Sequence, residues 1–419
     1  MKNLLDKTLY KWIDLFCNHR HNLLLVYCVV MLFLMIGLVS DSGAQYLPYL
    51  LVYTAVFLIT YFLNEKFLKQ SLSLQKIISG FISKVEINKV EIFSMSLFVV
   101  TVFFMTAHFI YLGGVPTIRA WFSHDSFEIY SIRKSVTADS NALMNYLSSF
   151  TLRAILPFLV LYFYQKSNWK IFIFVFLISL FYCMAFVAKS YLVTALIPLL
   201  IFSFLKKKYF HVVAFAVLIF GGLNLLVFIS NPALRGGDVY QATVQGIIEP
   251  SSNELGKSVT GLADRTFFLP GIIVSEWFKV IPSEKPFLKG SGYHIISDLK
   301  GTEFRDYSAE LYPVIFPDYA KRGYAGSVNV ASFMYDYANF GWIGIIYSAI
   351  ILALIFVFVN LIFDENNFIK LCINLFYVLV LSSSSFLTLA FSGGWGLMIL
   401  LFLFFRKDFF QEIKTSSIA

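Results

Sequence analysis

The chain has 419 residues, of which 58% are hydrophobic and only 14% charged, and its mean hydropathy is +0.74. Water must wet a soluble surface, which takes roughly 25% charged residues, so a soluble enzyme, a disordered chain and a disulfide scaffold are excluded and a polytopic membrane protein is left. The net charge of +8 does not point to nucleic acid: Ser230–Phe340 holds ten Lys/Arg and twelve Asp/Glu, a net of −2, and the remaining +10 sits in short connections and at both termini.

A helix needs about 20 apolar residues to cross a bilayer. On that ruler the first run, Leu23–Ser40, is long enough to span, lacks a small-residue cleavage site and is expected to stay in place as an anchor. Further spans are expected at Tyr46–Leu63, Ile92–Leu112, Leu152–Tyr164, Ile171–Ala188, Tyr191–Leu205 and Val212–Ile229. Three more follow a long polar segment, at Gly341–Phe363, Leu371–Ala390 and Gly396–Phe405. The fold class is therefore an all-α polytopic membrane protein of about ten helices. It divides into an N-terminal bundle (1–229, about seven spans), a large structured loop (230–340) and a C-terminal bundle of about three spans with its tail (341–419).

Basic residues set the orientation. Lys2, Lys7, Lys11 and Arg20, the lysines of Asn64–Glu91, Lys166 and Lys170, Lys206-Lys207-Lys208, Lys370, and Arg406-Lys407 all fall on one side when ten spans are counted. The positive-inside rule makes that side cytoplasmic, with both termini on it. Within Lys66–Lys89, apolar residues alternate with lysines as in an amphipathic helix lying on the inner leaflet. The opposite side receives Gly113–Phe150, the Lys189-Ser190 tip, Ser230–Phe340 and Phe391–Trp395. Loops beyond about 15 residues are usually functional or disordered, and the aromatic and Pro-Gly content of Ser230–Phe340 predicts short packed helices and turns. The four cysteines, Cys17, Cys28, Cys183 and Cys372, form no CxxC pair and no metal-ligand spacing with histidine.

Ionisable groups near membrane depth are costly and are candidates for function. Arg119, Arg153, Lys189, Arg235 and Arg265 all stand at span boundaries or in the two external segments, with the Arg133-Lys134 pair between them. For any one of them a solvated or snorkelling side chain is the plainer reading. Together, planar always-charged guanidinium groups suit a phosphate or pyrophosphate headgroup. Asn329, Ser332 and Asp336 fall at i, i+3 and i+7, one face if that stretch is helical, although a helix cap explains Asn329 equally well. His294, in Gly290-Ser291-Gly292-Tyr293-His294, is a candidate general base or a surface histidine, and Asp264, Glu276 and Asp336 compete for the role. No glycine-rich nucleotide loop, metal-binding carboxylate pair or HExxH motif occurs, so a donor must arrive through the lipid.

The stretch Leu262-Ala263-Asp264-Arg265-Thr266-Phe267-Phe268-Leu269-Pro270-Gly271, then Trp277-Phe278, Asn329 and Asp336-Tyr337-Ala338-Asn339-Phe340-Gly341-Trp342-Ile343-Gly344, resembles the Wzy-type O-antigen polymerases. Gly113-Gly114-Val115-Pro116 and Ala188-Lys189-Ser190 are similar to features of the same oligosaccharide repeat-unit polymerases. The resemblance implies a GT-C-like glycosyltransferase of the bacterial inner membrane. It would act at the periplasmic face on undecaprenyl-pyrophosphate-linked glycans, with no metal or nucleotide cofactor. A chain-length regulator and a flippase are the implied protein partners. In that scheme Arg265 stabilises the developing pyrophosphate charge, Arg119, Arg153, Lys189 and Arg235 assist in binding, Asp336 or His294 activates the acceptor hydroxyl, and Asn329 holds sugar or lid. An O-antigen ligase shares fold and donor. A polysaccharide flippase or transporter is the rival from another class, although the internal repeats usual in transporters are not visible.

Overall fold

The computed structural model describes residues 15–70, 80, 87, 89–137, 141–235, 267–364 and 366–416. Among them every regular element is helical. Seven helices or helix runs are long and apolar enough to cross a membrane, which makes the chain a multi-pass membrane protein: Asn22–Ser40, Ala44–Leu68, Val90–Phe122, Ala142–Gln165, Tyr209–Ser230, Trp342–Ile362 and Phe386–Phe409. Three shorter apolar helices, Trp169–Met184, Lys189–Leu205 and Asn367–Val380, lie where the fifth, sixth and ninth spans are expected. Most of the expected amphipathic segment Lys66–Lys89 lies outside the described residues.

We label the elements that build the site. Helix α1 is Asn22–Ser40, α2 Leu47–Gln70, α3 Val90–Tyr111, α4 Pro116–Phe122, α5 Ser126–Thr137 and α6 Ala142–Phe150; α7 is Leu156–Gln165, α8 Trp169–Met184, α9 Lys189–Leu205 and α10 Tyr209–Ser230. After the long loop's first part come α11 Leu269–Val280, α12 His294–Lys300, α13 Tyr307–Glu310, α14 Tyr312–Ile315 and α15 Pro317–Lys321. They are followed by α16 Ser332–Phe340, α17 Trp342–Ile362, α18 Asn367–Val380, α19 Phe386–Ala390 and α20 Trp395–Ser416.

Spacing explains the central packing. Tyr49, Tyr53, Phe57 and Tyr61 recur every fourth residue and share one face of α2. Tyr49 stacks on Trp342 at 3.8 Å, Phe57 meets Phe356 edge-on at 5.4 Å, and Asn360 donates to the Tyr61 hydroxyl, so this face runs along α17. Tyr53 packs on Phe333 of α16 at 4.7 Å, which ties the loop's last helix to the same seam.

Two expected spans change shape, each for a visible reason. The fourth starts earlier than Leu152: α6 runs through one π-turn, Thr151–Ile155, into α7. Pro157 has no N–H to return to the carbonyl four residues back, at Arg153, and Tyr377 donates its hydroxyl to that oxygen instead. The ninth, Leu371–Ala390, is broken. Helix α18 ends at Val380, the serines after Leu381 form a turn, and α19 starts at Phe386. The break is a docking point, because the freed Leu381 carbonyl accepts from the otherwise unpaired Ser332 N–H at the start of α16 (2.9 Å).

Several of the basic residues expected to share a side are paired or packed against neighbouring helices. Arg20 bridges Glu65 (2.6 Å) and Asp364 (2.5 Å), Lys166 pairs with Asp408 (2.9 Å), and Lys206 stands over Phe368. Lys370 is one of this set but is wholly buried, donating to Asn360 Oδ1 (2.8 Å), Asn367 Oδ1 (3.0 Å) and the Arg20 carbonyl. Hydropathy reads it as a solvated flank; the structure makes it a staple between the turn before α1, α17 and α18.

The large loop is not merely draped over the far end. Helix α11 runs beside α1: Phe267 packs on Phe33 at 4.5 Å, Gly271 touches Gly37, and Lys279 pairs with Asp41 at 2.7 Å. Ion pairs among Lys285, Arg305 and Glu310 stiffen the loop's middle.

Candidate functional site

Two polar constellations lie at the loop end of the bundle. The first is a cleft of ≈ 630 Å³ where the segment after α3 meets the large loop. Gly113 and Gly114, both at positive φ, reverse the chain after α3, and Pro116 opens α4 with a fixed φ at the position where its missing N–H costs nothing. That reversal carries α5 over the bundle. Tyr130 of α5 then grips the other segment: its hydroxyl donates to the Ala325 carbonyl (2.6 Å) and accepts from the Ala325 N–H (2.8 Å). Beneath this bridge, Pro116, Phe186, Val187, Ala188 and Tyr191 make an apolar floor, and Arg133, Lys134 and Ser327 supply the polar rim.

Of the cationic residues singled out in the sequence, the structure gathers some here. Arg153, in the π-turn, places its guanidinium carbon 5.6 Å over the Tyr191 ring, a cation–π contact at the cleft wall. Lys189 follows the lining residue Ala188 and starts α9. Arg119 is exposed on α4, directed at the Leu112 carbonyl (3.4 Å). Arg235 is used otherwise: it donates to the carbonyls of Ala120 (3.1 Å), Trp121, Ser123 (2.9 Å) and Ile229 (3.1 Å), which closes the open C-terminal ends of α4 and α10. A guanidinium engaged this way is a structural clamp, and we leave it out of the ligand set. Arg133 and Lys134, noted in the sequence only as part of the general arginine excess, line the cleft directly. Arg265 and Asp264 lie outside the described residues.

The second constellation surrounds Asp336. Its Oδ1 accepts from the hydroxyls of Tyr293 and of Tyr347 (2.8 Å), the two hydroxyls are 2.9 Å apart, and Ser348 bonds the same carboxyl group. Burial pushes the Asp336 carboxyl above the ordinary carboxylate value, against the three hydroxyls, which favour the charged form. Burial, followed by the Asp336 charge, raises the Tyr293 phenol, so it stays a proton donor. Gly344 lets α17 approach the Asp336 carbonyl closely; any β-carbon there would collide with the backbone of Asp336 and Tyr337.

Asn339 holds this arrangement in register. Buried at the end of α16, its Oδ1 accepts from the N–H groups of Gly290 (3.2 Å) and Gly292 (3.0 Å), and its Nδ2 returns to the Tyr335 carbonyl. The turn so fixed delivers Tyr293 to Asp336. Replacing Asn339 by leucine should strand those donors at about 1–3 kcal/mol each. The expected readout is a lower thermal midpoint in detergent, which a Ser291→Ala control does not show. An unchanged midpoint would remove Asn339 from this role.

The expected stripe of Asn329, Ser332 and Asp336 does not form. Helix α16 begins only at Ser332, and Val328-Asn329-Val330 is extended, with both valines buried and Asn329 pointing out between them. Period two, not 3.6, governs these residues, and the Asn329 amide oxygen accepts from the Ser327 hydroxyl (3.3 Å). His294 is exposed at the start of α12, stacked on Phe304 at 3.6 Å. Neither Asp336 nor His294 lines the cleft. No group of three or more possible metal ligands occurs among the described residues.

In comparisons with known proteins, no family model, no curated protein and no solved structure matches the chain.

Proposed function

We propose that the chain is a membrane glycosyltransferase that polymerises lipid-diphosphate-linked oligosaccharide units, a Wzy-type O-antigen polymerase, built from about ten spans in a GT-C-like arrangement. The reading puts it in a bacterial inner membrane with both termini cytoplasmic and the cleft periplasmic. The observation that carries it is the cleft itself: a space of ≈ 630 Å³ with Arg133 and Lys134 on its rim, bordered by Arg153 and Lys189, over an apolar floor at the membrane end of a multi-pass bundle. Cations above an apolar floor match a diphosphate on a lipid tail.

In the transfer, the acceptor hydroxyl attacks the anomeric carbon of the donor sugar, the bond from that carbon to the diphosphate oxygen breaks, and the lipid diphosphate leaves with the electron pair. Cations at the cleft stabilise the leaving charge, and no metal or nucleotide cofactor is invoked. The acceptor proton needs a base, and no carboxylate is among the cleft's lining residues. Asp336 is assigned that duty on the acceptor side, ahead of the exposed His294. Arg265, in the large loop, is assigned to the leaving diphosphate.

Deletion of the gene, followed by gel separation of surface glycan, tests the reaction class. A core bearing a single repeat unit is the polymerase result, whereas total loss of the glycan points to a ligase or a flippase. Arg265→Ala is expected to leave protein level intact and lower polymer formation by about 10²–10³-fold, the usual cost of one preorganised donor to a developing anion. A full ladder of lengths from that variant would remove Arg265 from the mechanism.

A further inference from the structure

The short helix α12 carries two large apolar side chains that no described residue covers. Ile295 and Leu299, one turn apart, are 76% and 82% exposed, more than most side chains on the spans themselves. They share one face. Ser297 is buried beneath the helix, and His294 and Asp298 occupy its other exposed side. The helix is therefore amphipathic and presents its apolar strip outward.

Its position says what covers that strip. Tyr293, the residue that opens α12, binds Tyr347 and Asp336 and stacks on Phe340. Tyr347 is five residues inside α17, which at 1.5 Å per residue is about 7–8 Å from the start of that span. Around it α17 exposes Ile343, Ile346, Ile350 and Leu354, the face a spanning helix turns to lipid. Tyr293 ties the start of α12 to this end of α17. Interfacial helices sit about 5–10 Å into the headgroup and acyl boundary, a range that includes this distance along α17. Two side chains fall far short of the roughly 800 Å² per partner that a stable protein interface buries, which argues against a second copy as the occupant.

We propose that α12 is a lipid-contacting element, with Ile295 and Leu299 seated at the acyl–headgroup border of the leaflet surrounding the Trp342 end of α17. Seated there, α12 holds Tyr293, and through it the Asp336 cluster, near the bilayer edge. The inference does not rest on the transferase reading.

Nitroxide labels placed singly at Ile295→Cys and Leu299→Cys test it in the full-length protein in phosphatidylethanolamine–phosphatidylglycerol liposomes. The background is Cys28→Ala, because Cys28 is the one of the four cysteines that is not buried. Ile346→Cys on α17 is the lipid reference, and Glu303→Cys, exposed in the loop, is the water reference. Relaxation by oxygen, which concentrates in hydrocarbon, is compared with relaxation by a water-soluble nickel chelate. The expected result is an oxygen-to-nickel ratio at both positions that ranks with Ile346→Cys. A ratio matching Glu303→Cys overturns the proposal. So does an immobilised spectrum screened from both reagents, which would mean that protein covers the strip. No turnover is measured, so failure of the glycan experiments leaves this result standing.

Discussion

Replacing Gly271 by valine is expected to cost the protein its folded, monodisperse state, and Gly37→Val should do the same. These glycines are where α11 crosses α1, backbone against backbone. A β-carbon at Gly271 would stand 2.8 Å from Gly37 Cα and 2.7 Å from the Leu38 nitrogen, and one at Gly37 would stand 3.0 Å from Gly271 Cα. What it meets is helix backbone, so no side-chain rotation relieves the clash. Small residues at membrane helix crossings serve this close approach, and overpacking such a contact costs about 3 kcal/mol or more, at or beyond the upper end for cores. Since α11 lies along α1 up to the Lys279–Asp41 pair, prising it off would also draw out Trp277 of α11, which is fully buried. Gly221→Val on α10, where a β-carbon meets nothing within 4 Å, is the control and should leave the protein unchanged. Size-exclusion profiles and thermal midpoints of the three variants in one detergent decide the matter. A Gly271→Val protein as stable as the control would show that the crossing is not close-packed.

What the chain reveals on reading depends on how local its cause is. Long apolar runs announce themselves, because a bilayer demands about 20 residues of one character: seven of the ten expected spans overlap helices long and apolar enough to cross, and the other three overlap shorter apolar helices. The break after Leu381 is hidden, because serines flanked by leucine and phenylalanine barely change an averaged hydropathy; only the Ser332–Leu381 bond explains the turn. Lys370 reads as a flank because its three acceptors come from residues as far away as Arg20. Charge itself misleads at Arg235: an arginine beside Gly236-Gly237 looks available, yet its donors serve carbonyls more than a hundred residues earlier in the chain. Asp336 was legible as a candidate from its place before a span. Its partners Tyr293 and Tyr347 were not, since tyrosine is abundant here and nothing in the spacing marks these two. The Asn329 expectation failed on period: Val328 and Val330 alternate, and a helical template imposed on them merges an extended entry with the helix that follows.

Asp336→Asn should move stability and activity in opposite directions. Asparagine keeps the oxygen that Tyr293 and Tyr347 bond and removes the charge that burial disfavours. The ordinary value for this carboxyl is 3.8, and the folded value lies above it because of burial. Between the two, the folded protein keeps a proton that the unfolded chain has released, so this group's contribution to stability falls as pH rises and stays at its lower level above the folded value. At neutral pH the asparagine variant should therefore melt no lower than the wild type. As the pH is lowered toward the ordinary carboxylate range, the wild type should gain on the variant; taking the difference between the two cancels acid effects at other groups such as Glu310, whose carboxyl the Arg305 hydrogen bond holds low. Polymer formation should meanwhile fall by about 10²–10⁴-fold, the usual contribution of a positioned general base. If the variant instead melts lower at neutral pH and loses activity in proportion to the folded protein lost, Asp336 is a structural tie between the loop and α17, and the base lies elsewhere. Tyr293→Phe separates the cases further. It removes one donor to the carboxylate and leaves Tyr347 and Ser348, so a catalytic Asp336 predicts a partial loss of turnover and a higher apparent pKa in the rate profile, whereas a structural one predicts a lower melting temperature and an unshifted profile.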